Sequence, residues 1–383
     1  MGVGISVGVM GARILDVRLD IKESTSHETY VTGIQICAQS NVKNRRGKCL
    51  LIAVDSGGHD AISPLDDQAH FSFEKVSSIA PDGIQYWADL YRQQGSAAIV
   101  VGTSDSALGR NVESAARTAA VRMNLTVVAI EDYAGNYFEV MDAPTNLLVV
   151  ESEPAAQLIR DRLGATCPPI AIFSSCRYDR YRSKLDSLRA AVLSSWSQRG
   201  EPLEILWAGQ PESQDGLATL ARVAPAIRDL NARLLFKAHP RDLLYQEGRY
   251  PELLDALGIG YSDVSGLSIA ECLGRAPRLV ITQFSSVAIE AGFYGIPALH
   301  LLYRDIGGAR LQQKKGYELP PHCQWGAGLV LQVPGTEHDM LYQALHSLVL
   351  REATICQFDD YFAAHTEMTP LLANHLIAFM GLT

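Results

Sequence analysis

Along most of the chain, short apolar runs of strand length alternate with amphipathic stretches of helical length. At residues 14–21 (ILDVRLDI) apolar and polar positions alternate with period two, as in a half-buried strand. Residues 30–37 offer a second strand that could pair with it. The pattern then changes. Residues 49–54 are continuously apolar, which predicts a strand buried on both faces, and they run into a loop, Asp55-Ser56-Gly57-Gly58-His59-Asp60. A helix at 84–94, a strand at 97–101, a helix at 109–123, strands at 125–130 and 147–150 and a helix at 154–163 follow. Cys167-Pro168-Pro169 reads as a linker, because paired prolines favour extended chain. A second series begins at 170–173: helix 183–198, strand 203–208, helix 217–231, strand 233–237, helix 252–257, a short segment near Tyr261, helix 268–274 and strand 279–282. Gln283-Phe284-Ser285-Ser286 turns into a helix carrying Glu290, and Tyr294-Gly295-Ile296-Pro297 ends it before a strand at 298–302. The chain is helical from Glu337, with a closing helix at 361–380.

Such alternation predicts an α/β protein with two Rossmann-like, doubly wound parallel sheets. The expected division is 1–167 and 168–383, with 1–47 an extension and the closing helix packing back on the first domain. Ligands of such sheets bind where the strand carboxyl ends face a crevice. A length of 383 residues fits two domains.

Composition narrows the function. The chain is 47% hydrophobic and 20% charged with a formal net charge of −9, an ordinary globular balance. That acidity argues against general nucleic-acid binding, which needs a basic footprint. No apolar run reaches the length of a membrane span, and residues 1–10 lack the basic start of a signal peptide. The expectation is a cytoplasmic protein, with peripheral contact at the inner membrane face left open. Seven scattered cysteines without zinc-like spacing read as reduced, packed thiols. Neither a metal nor a cofactor is expected, and oligomeric state is left open.

The chemistry-bearing residues gather at strand ends. Lys237-Ala238-His239-Pro240-Arg241 places a cation and an imidazole after one strand, with Pro240 fixing the turn. Ser285 and Ser286 put two hydroxyls at a helix start, where free N–H groups favour an anion. Gly209, with Gln210 and Pro211, follows another strand and could meet a nucleobase. The alternative at each position is a solvated loop or a helix cap.

KxHPR followed by SSxxxEAxxxGIP resembles the GT-B bacterial surface-polysaccharide glycosyltransferases with HP and S or SS motifs. These include the sialyl-, polysialyl- and Kdo-transferases and the related CDP-glycerol transferases. The likeness spans roughly residues 170–335. It implies a GT-B fold, with His239, Ser285 and Ser286 on the nucleotide phosphate and Glu290 on the ribose. It also implies a CMP- or UDP-sugar donor and a carbohydrate or lipid-linked acceptor. UDP-N-acetylglucosamine 2-epimerases share the architecture, but a Ser-Gly-Gly turn and paired glutamates usually stand where this chain has Ser285-Ser286-Val287 and one Glu290. That difference favours transfer over epimerisation. In the first domain Glu131-Asp132 ends a strand ahead of Gly135, and a carboxylate there could take the acceptor proton. His59 is the rival base. Three arginines and two tyrosines at 177–182 could bind a diphosphate or form a solvated rim, and Gly102 to Asp105, with Arg110 and Glu113, could touch the acceptor or the transferred sugar, or cap a helix at Ser104 or Asp105. No DxD motif occupies a plausible site, which fits leaving-group stabilisation without a divalent ion. A non-catalytic sugar-nucleotide-binding relative is the third possibility.

Overall fold

A computed structural model describes residues 16–19, 34–37, 47–75, 83–104, 106–198, 202–308, 311, 313 and 318–382. Strands β1 (Asp16–Leu19) and β2 (Ile34–Cys37) pair antiparallel as a separate two-stranded unit, Asp16 opposite Cys37. Residues 1–10 and Asp105 lie outside the described residues.

Two parallel six-stranded sheets form the body. The first takes β3 (Lys48–Ala53), β4 (Phe71–Lys75), β5 (Ser96–Gly102), β6 (Thr126–Ile130), β7 (Leu147–Val150) and β8 (Ile170–Ile172) in the spatial order β4-β3-β5-β6-β7-β8. The second takes β9 (Glu204–Ala208), β10 (Arg233–Lys237), β11 (Tyr261–Asp263), β12 (Leu279–Thr282), β13 (Ala298–Leu301) and β14 (Leu329–Leu331) in the order β11-β10-β9-β12-β13-β14. Central strands are apolar throughout because helices cover both faces. Leu50, Ile52, Ile99 and Val101 face one helical layer, and Leu51, Ala53 and Val100 face the other.

The helices that place the site are α1 (Ser56–Ile62), α2 (Ala107–Arg122), α3 (Ser213–Asp229), α4 (Val287–Phe293), α5 (Leu348–Phe362) and α6 (Thr369–Met380). Two expectations need correction. The glycine-rich segment after β3 is not a loop: Ser56 to Asp60 form the start of α1. Pro168-Pro169 is not the boundary either. Strand β8, expected to open the second domain, pairs with β7 and completes the first sheet, Leu148 opposite Ile170. A proline pair suits this place because the chain entering an edge strand is already extended. The crossing to the second domain lies between β8 and β9.

The expected closing helix is two helices. The αL residue Ala363 terminates α5, and Pro370 stands at the start of α6. Met368, Leu372, Ala373, Leu376 and Met380 are buried against Cys49, Leu51 and Val100 of the first sheet. The carboxyl terminus therefore returns to the first domain.

Candidate active site

In each sheet the strand order reverses beside the first strand of the series, between β3 and β5 and between β9 and β12. Helices on opposite faces diverge there and leave a crevice at the strand carboxyl ends. The two crevices join as one cleft of about 610 Å³. Val54 to Gly57, Asp132, Tyr133 and Asn136 line one wall. Gln210 to Glu212, His239 to Arg241 and Phe284 to Ser286 line the other, with Leu311.

Asp132 follows β6 and is held from several sides. Its Oδ1 accepts from Thr103 Oγ1 at 2.8 Å and Asn136 Nδ2 at 2.8 Å. Its backbone N–H donates to Thr103 Oγ1 at 3.0 Å, and its carbonyl accepts from Arg177 Nη1 at 3.0 Å. The other oxygen, Oδ2, lies against Gly57, where a Cβ would come within 2.5 Å of it. Glycine at 57 is what lets the first turn of α1 pass this carboxylate.

Glu131 turns the opposite way. It is 3% exposed, and neither carboxylate oxygen has a hydrogen-bond partner among the described residues. Burial raises its pKa well above the usual carboxylate range. Glu151 and Asp132 add to that, while the nearby Gly135 and Asn136 backbone N–H groups oppose it. It does not line the cleft. His59 is also off the cleft lining. Its ring packs edge-on to Phe73 at 4.8 Å, its side chain is 46% exposed, and Asp60 lies at 3.7 Å.

On the opposite wall, His239 Nδ1 accepts the Arg241 backbone N–H at 3.1 Å. In the neutral ring the proton then sits on Nε2, leaving it as a donor. Burial lowers the His239 pKa, and Arg241 lowers it further, so the neutral form dominates at pH 7. Ser286 is the N-cap residue of α4, and Ser285 Oγ accepts from Val287 N at 3.2 Å. Gly209 lies behind this wall with its backbone close to that of His239: a Cβ would come within 3.2 Å of the His239 nitrogen.

Lys237 and Glu290 do not line the cleft. Lys237 Nζ donates to the carbonyls of Ser265, at 3.2 Å, and Leu267. Glu290 accepts from the Tyr181 hydroxyl and lies 3.8 Å from Arg180. Burial raises its pKa, and Tyr181 and Arg180 pull it back.

The arginine-tyrosine stretch does not line the cleft, and within it only Arg180 is largely exposed. Arg182 is buried on Asp179, Tyr178 and Tyr181 are core, and Arg177 runs beneath Asp132. The helix after Thr103 is capped by Ser106, whose Oγ accepts from Gly109 N at 3.0 Å.

Four further residues shape the site, and of these Glu113 was expected near the acceptor. Asp55 accepts from the Ser106 N–H at 2.9 Å and from its hydroxyl at 2.6 Å. Glu113 lies 2.5 Å from Ser104 Oγ, and burial pushes its pKa up to about 8. Asn136 fixes Asp132. Tyr133 reaches across the cleft to donate to the Phe284 carbonyl at 2.9 Å. Asp55, directly after a buried strand, carried a usable signal. Asn136 acts only four residues from Asp132, whereas the Tyr133 contact pairs distant segments.

No protein-family model matches the chain, and no curated protein matches it. Solved structures do. A putative UDP-N-acetylglucosamine 2-epimerase from Listeria monocytogenes aligns over 88% of this chain and 98% of its own, with TM-score 0.59 and 11% identity. The UDP-GlcNAc 2-epimerase from Neisseria meningitidis bound to UDP-GlcNAc aligns over 86% and 99%, with TM-score 0.57 and 10% identity. A glycosyltransferase from Rickettsia africae aligns over 88% and 98%, with TM-score 0.54 and 12% identity. The fold is GT-B. At these identities the likeness speaks to architecture, and function rests on the site.

Proposed function

We propose that this chain acts on a nucleotide-activated sugar and transfers the glycosyl group to a hydroxyl acceptor. The observation that carries this reading is the facing of Asp132 and the His239/Ser285-Ser286 wall across one cleft. Glycosyl transfer needs charge stabilisation at the departing phosphate and a base at the acceptor hydroxyl. The Nε2–H of His239 and the Ser285 and Ser286 hydroxyls supply the first. Asp132 supplies the second, with Oδ1 held by Thr103 and Asn136 and Oδ2 lying against Gly57. No divalent ion takes part in this scheme. Because Lys237 is engaged elsewhere, Arg241 is the cation nearer the phosphate. The donor is a CMP- or UDP-sugar, the acceptor a saccharide or lipid-linked saccharide in surface glycan synthesis, and the reaction cytoplasmic. No described helix is long and apolar enough to cross a membrane.

Epimerisation at C2 of a UDP-sugar is the second reading. It is favoured by the buried Glu131 next to Asp132, a second acid at the same strand end. One experiment separates the two. Incubation with CMP- and UDP-sugars in D2O should release nucleotide with a candidate acceptor and leave the sugar C2–H unexchanged. Asp132→Asn should lower turnover by about 10²–10⁴-fold while nucleotide affinity, measured by calorimetry, stays within a few fold. Deuterium at C2 without net transfer would replace the transferase reading with the epimerase one.

A further inference from the structure

A cluster outside the cleft belongs to none of this chemistry. His300 lies on β13, and His322 and Cys323 lie in the short helical turn Pro321–Trp325. One potential ligand atom from each falls within 4.8 Å of the others. His300 is fully buried and His322 is 3% exposed.

Two hydrogen-bonding anomalies mark the cluster. His322 Nε2 is buried without a partner among the described residues, an arrangement that ordinarily costs about 1–3 kcal/mol. His300 has the reverse problem. Its Nδ1 lies 3.0 Å from the Gln283 carbonyl and its Nε2 lies 3.2 Å from the Ala327 carbonyl. A neutral imidazole has one N–H to give. The other nitrogen must then set a lone pair against a carbonyl lone pair.

We infer that His300, His322 and Cys323 bind a zinc ion. A cation answers both anomalies together. With Nδ1–H donating to Gln283, His300 Nε2 is free to ligate, which is how metal-bound histidines are usually oriented. The unpartnered His322 Nε2 becomes a second ligand, and the Cys323 thiolate a third. The Ala327 carbonyl, already beside Nε2, fits a fourth position. Gly328 keeps this space open, since a Cβ there would come within 2.9 Å of His300 Nε2. Two imidazoles and a thiolate suit zinc in tetrahedral geometry. With bonds of about 2.0 Å to nitrogen and 2.3 Å to sulfur, ligand atoms end roughly 3.3–3.5 Å apart, against a present spacing within 4.8 Å. Binding releases the Cys323 proton. The ion would be structural, tying the 321–325 turn to β13 behind Gln283, the residue that opens the Gln283-to-Ser286 turn.

The test uses the tag-free full chain, loaded with Zn²⁺ and freed of excess by gel filtration. Elemental analysis should find about one zinc per chain, and Co²⁺ loading should give a thiolate-to-cobalt charge-transfer band. Cys323→Ser should abolish the band, and His322→Gln should weaken zinc affinity by at least about 100-fold. Cys356→Ser, at an exposed thiol, should change neither. Should the variants fold poorly, alkylation of the unaltered chain decides: zinc should protect Cys323 and leave Cys356 reactive. Failure of the unaltered chain to retain zinc, a band surviving Cys323→Ser, or alkylation of Cys323 indifferent to zinc would each overturn the assignment.

Discussion

Single residues in this protein take their character from who surrounds them rather than from their own chemistry. Glu131 and Asp132 are adjacent, yet one is a buried acid and the other a supported carboxylate on the cleft. They follow β6 where the chain turns, and the two side chains leave in different directions. Glu113 shows how far burial can go. Its ordinary value of 4.5 is pushed up to about 8 by desolvation, against the opposing hydrogen bonds of Ser104. Between those values the folded chain holds a proton that the unfolded chain has released. The resulting stabilisation is complete below pH 4.5 and is lost as pH rises through about 8. Glu113→Gln, which keeps the shape and removes the ionisation, should flatten this loss. Melting temperatures measured from pH 5.5 to 8.5 should fall less steeply in the variant, and equal slopes would refute the assignment.

At the scale of elements, the strands and the longer helices follow the apolar pattern, while their junctions are fixed by polar contacts. The clearest junction is the one between the crossing segment and α6. Asp179 accepts from the Met368 N–H at 2.9 Å, from the Thr369 N–H at 2.6 Å and from the Thr369 hydroxyl at 2.6 Å. It also pairs with Arg182 at 2.5 Å, a guanidinium whose side chain is 0% exposed. Arg182 in turn donates to the Phe362 carbonyl at 3.0 Å, at the end of α5. One carboxylate thus ties the outgoing chain to the returning one. Asp179→Ala would leave a buried guanidinium without its counter-charge and uncap α6. Loss of one partner of such a pair costs roughly 3–5 kcal/mol, and urea denaturation should show a destabilisation of that order. A change below about 0.5 kcal/mol, the usual limit for a surface substitution, would show that the junction is held by packing alone.

For the whole molecule, the cleft is bridged by the Tyr133 hydroxyl on the Phe284 carbonyl. Tyr133 adjoins Asp132, and Phe284 adjoins Ser285. The bond therefore joins the proposed base to the proposed phosphate turn, one on each domain. Tyr133→Phe should leave nucleotide affinity within about threefold while lowering glycosyl-transfer turnover about tenfold, near the worth of one hydrogen bond at the upper end of the usual range. Calorimetry beside steady-state rates would read the split. Equal losses in both would mean that Tyr133 serves binding, not alignment.

The sequence determined the alternation of buried strands and amphipathic helices, and with it two parallel sheets and a crevice at the strand ends. It also placed His239 to Arg241, Ser285, Ser286 and Asp132 at those ends, because a residue after a buried strand has few places to go. Only the tertiary structure decided the rest. It put β8 in the first sheet despite the prolines before it, since edge pairing is a contact between distant segments that local pattern does not encode. It removed His59, Lys237, Glu290 and Glu131 from the cleft lining, because side-chain direction depends on neighbouring turns. Thr103 and Gly57 converge on Asp132 from separate strand ends, and Tyr133, beside it in the chain, reaches across the cleft to Phe284. Such convergence is a property of the folded sheet, where positions far apart in the chain share one switch point.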